Sequence, residues 1–106
     1  MRYRLPIFLL LFVSLFIVPA TAIEYILYTG EHFDTSASGN GQPYGITMND
    51  SYFWITDDAD NKVYQYYING TYTGVNWATS GNPFGITMNE SYFWITDSSA
   101  AQVYQY

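Results

Sequence analysis

The amino-acid sequence predicts an all-β chain built from repeated antiparallel sheets of four strands, and three observations support this prediction. Residues 41–66 and 81–106 align without a gap at a spacing of 40 residues, and 18 of the 26 aligned positions are identical. Turn residues divide each repeat into short runs that are rich in aromatic and β-branched side chains. The Asn69-Gly70 pair, which follows one of these runs, is the strongest short signal for a β-hairpin.

Four runs of this kind occupy one repeat. The first, residues 45–48, follows a Pro-x-Gly entry that favours an extended approach, and it ends at a turn tripeptide, residues 49–51. The second, residues 52–56, is apolar without alternation, which predicts burial on both faces of the sheet. The third, residues 63–68, ends at the hairpin turn. The fourth runs from residue 71 to residue 75 or a little beyond, and it is polar, as an outer edge strand is.

The repeats divide the chain into four parts. Residues 1–22 have the composition of a signal peptide, and residues 41–80 form one complete unit. Residues 23–40 align faintly with the end of a unit, so we expect them to form the last two strands of an earlier one. Residues 81–106 correspond to the first three strands of a unit, which brings the predicted total to nine strands.

The N-terminal segment has the pattern of an exported protein. Arg2 and Arg4 precede an apolar run over residues 7–18, and an Ala-x-Ala site ends at Ala22. This run is short of the ~20 residues that a membrane-spanning helix needs. We therefore expect an apolar signal helix, cleavage after Ala22, and a secreted or cell-surface protein. The alternative is an uncleaved anchor over residues 5–23, and only then would the membrane be a partner.

Charge and cysteine content exclude several classes of function. Lys62 is the only strong base in residues 23–106 and stands against nine Asp and Glu residues, which gives a formal charge of −8. A surface of this sign repels phosphate groups, so we expect no nucleic acid or anionic lipid among the partners. The whole chain lacks cysteine and therefore has no disulfide, thiolate metal site or cysteine nucleophile. Apolar burial must hold the fold together.

The order of motifs within the repeat matches a known pattern. Residues 43–47 read Pro-Tyr-Gly-Ile-Thr, residues 52–57 read Tyr-Phe-Trp-Ile-Thr-Asp, residues 63–66 read Val-Tyr-Gln-Tyr, and Asn69-Gly70 closes the unit. This order resembles the NHL-type β-propeller repeat. The resemblance implies tandem four-stranded antiparallel blades of an incomplete β-propeller, stacked face to face around an axis. It implies no single function, because propellers of this type include enzymes, scaffolds and binding modules.

A few residues are candidates for binding a ligand or a metal ion. Trp77, in the polar fourth run, is the candidate ligand residue, although packing between sheets is the favoured interpretation. Asp57, Asp58 and Asp60 form an oxygen-rich loop with a composition that suits Ca²⁺. Their spacing misses the EF-hand pattern, and Asp57 and its counterpart Asp97 are better explained as turn residues that cap backbone N–H groups.

Other polar residues receive structural interpretations. Asn49, Asn69 and Asn89 begin N-x-S/T sequons in predicted turns and are candidate glycosylation sites, but asparagine also forms turns without a glycan. His32 is the only histidine, and no second histidine or repeated carboxylate group accompanies it. We expect a surface residue there. The sequence predicts no catalytic residue, no cofactor and no metal site beyond the aspartate loop.

The leading functional hypothesis is a secreted or cell-surface propeller segment that acts as a non-catalytic binding or scaffold module. Its partner would be an unknown extracellular protein or carbohydrate, and further blades or self-association would complete it. One alternative is a fragment of a propeller lyase or lactonase. Another is a self-assembling surface protein, suggested by Tyr, Asn, Gly and Ser richness and by unpaired sheet edges. Trp54 and Trp94 occupy equivalent positions in the second strand, which favours core packing over a sugar platform.

Overall fold

A computed structural model describes residues 26–106, and these residues form seven strands. The strands are β1 (Pro43–Met48), β2 (Tyr52–Asp57), β3 (Lys62–Tyr67), β4 (Tyr72–Ala78), β5 (Pro83–Met88), β6 (Phe93–Asp97) and β7 (Gln102–Gln105). They make two antiparallel sheets with the orders β1-β2-β3-β4 and β5-β6-β7. The all-β prediction is thus confirmed for the described residues. The expected signal helix, anchor and cleavage site lie outside them.

Tight turns join consecutive strands at the residues that the sequence indicates. Between β1 and β2, Asn49 Oδ1 accepts hydrogen bonds from the N–H groups of Ser51 and Tyr52 at 2.8 and 2.9 Å. Asn89 repeats both bonds between β5 and β6 at 2.8 and 2.9 Å. In the hairpin between β3 and β4, Gly70 has a φ of 92°, a left-handed conformation that favours glycine. Local turn chemistry therefore sets the strand boundaries.

Strand β2 lies at the centre of the core. Trp54, Ile55 and Thr56 are consecutive and all buried, although successive side chains of a strand point to opposite faces. Two clusters of buried side chains lie on its two sides: Trp54, Val63 and Ile95, and Ile55, Tyr64 and Tyr66. The expected burial of this strand on both faces is confirmed.

Each sheet has two faces, which we name by their residues. The side with Trp54 and Thr56 is the tryptophan face of the first sheet, and the side with Phe53 and Ile55 is its isoleucine face. The second sheet has the same two faces, defined by Trp94 and Thr96 and by Phe93 and Ile95. The tryptophan face of the first sheet packs on the isoleucine face of the second, with the Trp54 and Phe93 ring centroids 5.0 Å apart.

Most contacts between the sheets are made by β1 and β5, whose backbones approach closely at Gly45. A Cβ atom on Gly45 would overlap the carbonyl oxygen of Phe84 and would lie 2.9 Å from Gly85 Cα. Thr56 Oγ1 accepts the N–H of Gly45 at 2.8 Å and donates to the Phe84 carbonyl oxygen at 2.7 Å. One buried hydroxyl therefore connects β1, β2 and the second sheet.

Replacing Thr56 by valine should remove this connection while keeping the shape of the side chain. We expect the free energy of unfolding to fall by about 2 kcal/mol, because a polar group left unpaired in an interface costs about 1–3 kcal/mol. Urea unfolding measures the change. The matched control is Thr96→Val, at the aligned exposed position, where we expect a change within about 0.5 kcal/mol. Equal losses in the two variants would contradict the inter-sheet role.

Residues 32–40 form an irregular segment over the isoleucine face of the first sheet. The Phe33 ring centroid lies 5.8 Å from that of Phe53 and 5.5 Å from that of Tyr66. The Ser38 and Tyr66 hydroxyl oxygens are 2.7 Å apart, within hydrogen-bond distance. A single 3₁₀ turn, Ser36–Ser38, gives the segment its only helical conformation. The segment thus covers one side of the first sheet with aromatic and hydroxyl contacts.

The two strands predicted within residues 23–40 do not form in the described part, residues 26–40. Asp34 Oδ1 accepts both the N–H and the hydroxyl of Ser36, at 2.8 and 2.7 Å, and Gly39 closes the turn with a φ of 99°. Such local hydrogen bonds compete with strand pairing, and no described strand pairs with the segment. The strand count in the described residues is seven rather than nine.

Residues 26–31 belong to a unit that is separate from residues 32–106. Within residues 26–31, the N–H of Glu31 donates to Thr29 Oγ1 at 3.2 Å, and Gly30 has a φ of 94°. Over the part of the chain that the structure describes, we find no helix with the length and hydropathy needed to cross a membrane.

Candidate functional site

Two aligned turns, one from each repeat, line an open groove of about 490 Å³. Its lining residues are Met48, Asn49, Met88, Asn89 and Glu90, and we call it the methionine groove. Met48 is exposed, whereas Met88 is half-buried and packs against the core between the sheets. Methionine side chains are flexible and polarizable, so they adapt to irregular apolar surfaces. The groove therefore combines an adaptable apolar floor with amide and carboxylate groups.

The three candidate glycosylation residues all lie at exposed turns. Asn49 and Asn89 use Oδ1 to accept two backbone N–H groups each, and Asn69 Oδ1 accepts the N–H of Thr71 at 2.9 Å. These bonds explain the asparagines as turn formers. They involve Oδ1, whereas a glycan is attached at Nδ2, so the turn role and the modification are compatible.

Trp77, the candidate ligand residue, lies between the sheets. Its ring centroid is 5.2 Å from that of Phe93, and in the β3–β4 register it stands opposite Val63, which is buried. Its Nε1 atom is buried without a hydrogen-bond partner. The indole therefore contributes to inter-sheet packing rather than to an open binding surface.

The three aspartates proposed as a calcium loop serve different structural contacts. Asp57 is buried and accepts the N–H groups of Gln42 and Asp60 at 3.2 and 2.9 Å. Asp60 Oδ2 accepts the hydroxyl of Tyr64 at 2.9 Å, and burial, assisted by this bond, raises the pKa of Tyr64 to about 12. Asp58 contributes its backbone N–H, which donates to the Gln42 carbonyl at 3.3 Å. Among residues 26–106, no group of three or more His, Asp or Glu side chains could hold a metal ion.

Asp97 occupies the position of Asp57 in the second sheet. Its Oδ1 accepts the N–H groups of Ser99 and Ala100 at 2.9 and 3.0 Å, and the Ser99 hydroxyl at 2.8 Å. The bond from the Ala100 N–H, followed by that from the Ser99 hydroxyl, lowers the pKa of the Asp97 carboxyl below its usual value. A Cβ atom on Gly81 would overlap Asp97 Oδ2, so a larger residue at position 81 would displace this carboxylate.

Acid should destabilise the chain partly through Asp97. A carboxyl group with a lowered folded-state pKa contributes stability above its unfolded pKa of about 3.9, and this contribution is lost as the pH falls through the folded value. Urea unfolding at about pH 7 and about pH 3 should show a smaller loss of stability in Asp97→Asn than in the wild type. Glu90→Gln controls for the loss of one negative charge. An unchanged pH dependence in Asp97→Asn would contradict the capping role.

The methionines of the groove were not candidates from the sequence. A methionine at the end of an apolar run indicates core packing, and the groove appears only when two turns 40 residues apart come together. The available signal was the repetition of Met-Asn before a turn in both units. Comparisons with family models, with curated proteins and with solved structures found no match to this chain.

Proposed function

We propose that the chain is a secreted or cell-surface segment of an NHL-type β-propeller that acts as a non-catalytic binding or scaffold module. The methionine groove is the surface through which it would contact its partner. The observation that carries this proposal is the groove itself, in which equivalent turns of neighbouring repeats line one opening. Loops presented by a rigid β-scaffold are common sites of recognition.

The packing of the sheets supports the propeller part of the proposal. The first sheet has four antiparallel strands in chain order, as a propeller blade does. The second sheet begins in the same way and packs on it face to face, with β5 against β1. The repeat spacing of 40 residues equals the spacing of these two sheets along the chain.

The chemistry of the groove favours a protein partner with an apolar anchor and basic neighbours. Met48 and Met88 offer an apolar floor, and the exposed carboxylates of Glu90 and Asp50 lie on the two turns. The formal charge of residues 23–106 is −8, so basic groups on the partner would be attracted to this surface. A segment that inserts an aliphatic or aromatic side chain beside a lysine or arginine matches both features.

Selection from a random peptide library displayed on phage tests the proposal with the purified secreted chain. We expect enriched peptides that combine an apolar anchor with a basic residue, and we expect Met48→Glu to weaken their binding at least about tenfold, or 1.4 kcal/mol. Ile68→Glu is the matched control, because Ile68 is an exposed apolar residue that does not line the groove. Binding that survives Met48→Glu would contradict the site. Turnover of a lactone, glycan or peptide substrate would contradict the non-catalytic assignment.

The secretion part of the proposal has its own test. The intact mass of the protein recovered from the culture medium should correspond to a chain that begins at Ile23, after cleavage behind Ala22. A full-length chain that remains in the membrane fraction would support the uncleaved anchor instead.

A further inference from the structure

The tryptophan face of the second sheet has the same residues as the face that the first sheet buries, but no described residue covers it. Thr56 and Val63 of the first sheet are both 0 % exposed. Their aligned counterparts are Thr96, which is exposed, and Val103, which is 62 % exposed. Tyr92 on the same face is also exposed. A sheet face with this pattern is one that packs against another layer.

Thr96 makes the same hydrogen bond within its sheet as Thr56 does, but its hydroxyl has no acceptor on a neighbouring sheet among the described residues. Its Oγ1 accepts the N–H of Gly85 at 2.8 Å, as Thr56 Oγ1 accepts the N–H of Gly45. The Thr56 hydroxyl then donates to the Phe84 carbonyl at 2.7 Å, whereas the Thr96 hydroxyl turns back to the Gly85 carbonyl at 3.4 Å. The latter distance is long for a hydroxyl hydrogen bond. The second sheet thus presents a donor suited to the carbonyl of another sheet.

The first sheet exposes the complementary surface along β1, where Ile46 and Met48 lie on its isoleucine face. Tyr44, Ile46 and Met48 are 56, 55 and 53 % exposed. Their aligned residues in β5, which are half-buried against the first sheet, are Phe84, Ile86 and Met88. The exposed residues of β1 are therefore the counterparts of those that the second sheet uses to bind the first.

Residues 32–40 leave this surface of β1 open. Their contacts lie over β2 and β3, where the Phe33 ring centroid is 5.8 Å from that of Phe53. The Trp77 ring of β4 is placed similarly over the second sheet, with its centroid 5.2 Å from that of Phe93. Residues 32–40 thus cover the part of the first sheet that corresponds to the part of the second sheet covered by β4. They leave β1 uncovered, so its exposed side chains can contact a further sheet.

We propose that the tryptophan face of the second sheet binds β1 of a second copy of this chain, so that copies associate head to tail. The contact would repeat the one inside the chain. The Thr96 hydroxyl would donate to the Tyr44 carbonyl of the second copy, and Gly85 would lie against the same backbone. The Phe84 ring would meet the Tyr44 ring of the second copy, as these two rings meet inside the chain at 4.5 Å.

Such a contact joins two different faces, so it is heterologous. Each added copy leaves one face of each kind free, and growth continues until a ring closes. This inference goes beyond the proposed function. The two surfaces share Met48, so the association is tested at Ile46 and Val103, which do not line the methionine groove. If the peptide selection fails while association persists, the proposed function is wrong and the inference stands.

Sedimentation velocity of the mature secreted chain at rising concentration tests the inference. We expect the mean mass of the wild type to rise with concentration. Val103→Arg on the tryptophan face and Ile46→Arg on β1 should each weaken self-association at least about tenfold. Ile68→Arg adds the same charge in the β3–β4 turn and should associate like the wild type. Thermal unfolding verifies that each variant folds, and Thr87→Arg, exposed on the tryptophan face, replaces Val103→Arg if it does not.

A mixture of the two face variants provides the decisive measurement. Ile46→Arg keeps its tryptophan face and Val103→Arg keeps its β1 surface, so we expect a dimer with one copy of each and nothing larger. Undiminished association of Val103→Arg, or a mixture that stays monomeric, would overturn the inference. A monomeric wild type at every concentration would also overturn it. In that case, binding of soluble oligosaccharides that is lost in Trp94→Ala would assign the face to carbohydrate instead.

Discussion

Replacing Gly45 by alanine should lower the free energy of unfolding by about 2–3 kcal/mol. The new Cβ would overlap the Phe84 carbonyl oxygen and would lie 2.9 Å from Gly85 Cα. These are backbone atoms of the other sheet, so the sheets must separate to make room. Separation also stretches the hydrogen bond from Thr56 to Phe84. The lower entropy of the unfolded chain offsets only about 0.4–1 kcal/mol of the loss.

The matched control is Gly85→Ala, at the aligned position on the uncovered face of the second sheet. The atom nearest to a Cβ there is Thr96 Oγ1 at 3.1 Å, which belongs to a side chain. Neither Gly45 nor Gly85 has a positive φ, so the backbone conformation does not disfavour alanine at either position, and the variants differ only in what the new Cβ contacts. When the protein is dilute enough to be monomeric, we expect Gly85→Ala to change stability by less than about 1 kcal/mol. Urea unfolding followed by circular dichroism measures both variants, and equal losses would contradict the close approach of the sheets.

Replacing Trp54 by alanine should cost about 3–5 kcal/mol, the range for removal of a large buried aromatic side chain. Trp54 is 6 % exposed and packs with Val63 and Ile95. Its ring also meets Phe93 edge to face, at 5.0 Å and 68°. The cavity would open between the two sheets, where the backbone contact at Gly45 limits collapse. Urea unfolding followed by far-ultraviolet circular dichroism measures the loss.

Trp94→Ala provides the comparison, because Trp94 has the same place in the second sheet. Its ring has Tyr92 as an aromatic neighbour at 5.9 Å, and it is only half-buried. We expect a loss of about 1 kcal/mol when the protein is dilute enough to be monomeric. A loss as large as that of Trp54→Ala under these conditions would mean that both tryptophan faces are covered.

The strands of the complete repeat were predictable because their boundaries depend on neighbouring residues. Asn49 and Gly70 act within their own turns. The hydrogen-bond partners of Asn49 and the conformation that Gly70 adopts both lie within a few residues of them in the sequence. Strand β1 begins at Pro43, two positions before the predicted run, since proline is tolerated as the first residue of a strand. The two strands predicted within residues 23–40 do not form over residues 26–40, and the cause is non-local. A strand needs a neighbour for its backbone hydrogen bonds, and composition does not supply one.

The candidate site was less predictable, because its surroundings come from distant parts of the chain. Trp77 stands in a polar run, and only the second sheet, through Phe93, makes it a packing residue. The clustering of Asp57 and Asp60 in the sequence suggests a cation-binding loop. In the structure, however, these carboxylates accept hydrogen bonds from Gln42, which is distant in sequence from Asp57, and from Tyr64, which is packed in the core. The methionine groove depends on two turns meeting in space, which a periodic pattern alone does not indicate.

The irregular segment at residues 32–40 makes the two ends of the sheet pair unequal. It shields the outer isoleucine face of the first sheet at β2 and β3, while no described residue shields the outer tryptophan face of the second sheet at β6 and β7. In arrays of similar units, stability is approximately a sum of unit and nearest-neighbour terms, so a unit with one neighbour opens more readily. Backbone amides of β6 and β7 should therefore exchange hydrogen with solvent faster than those of β2 and β3. Local unfolding of the chain should therefore begin in the second sheet and reach the first sheet later.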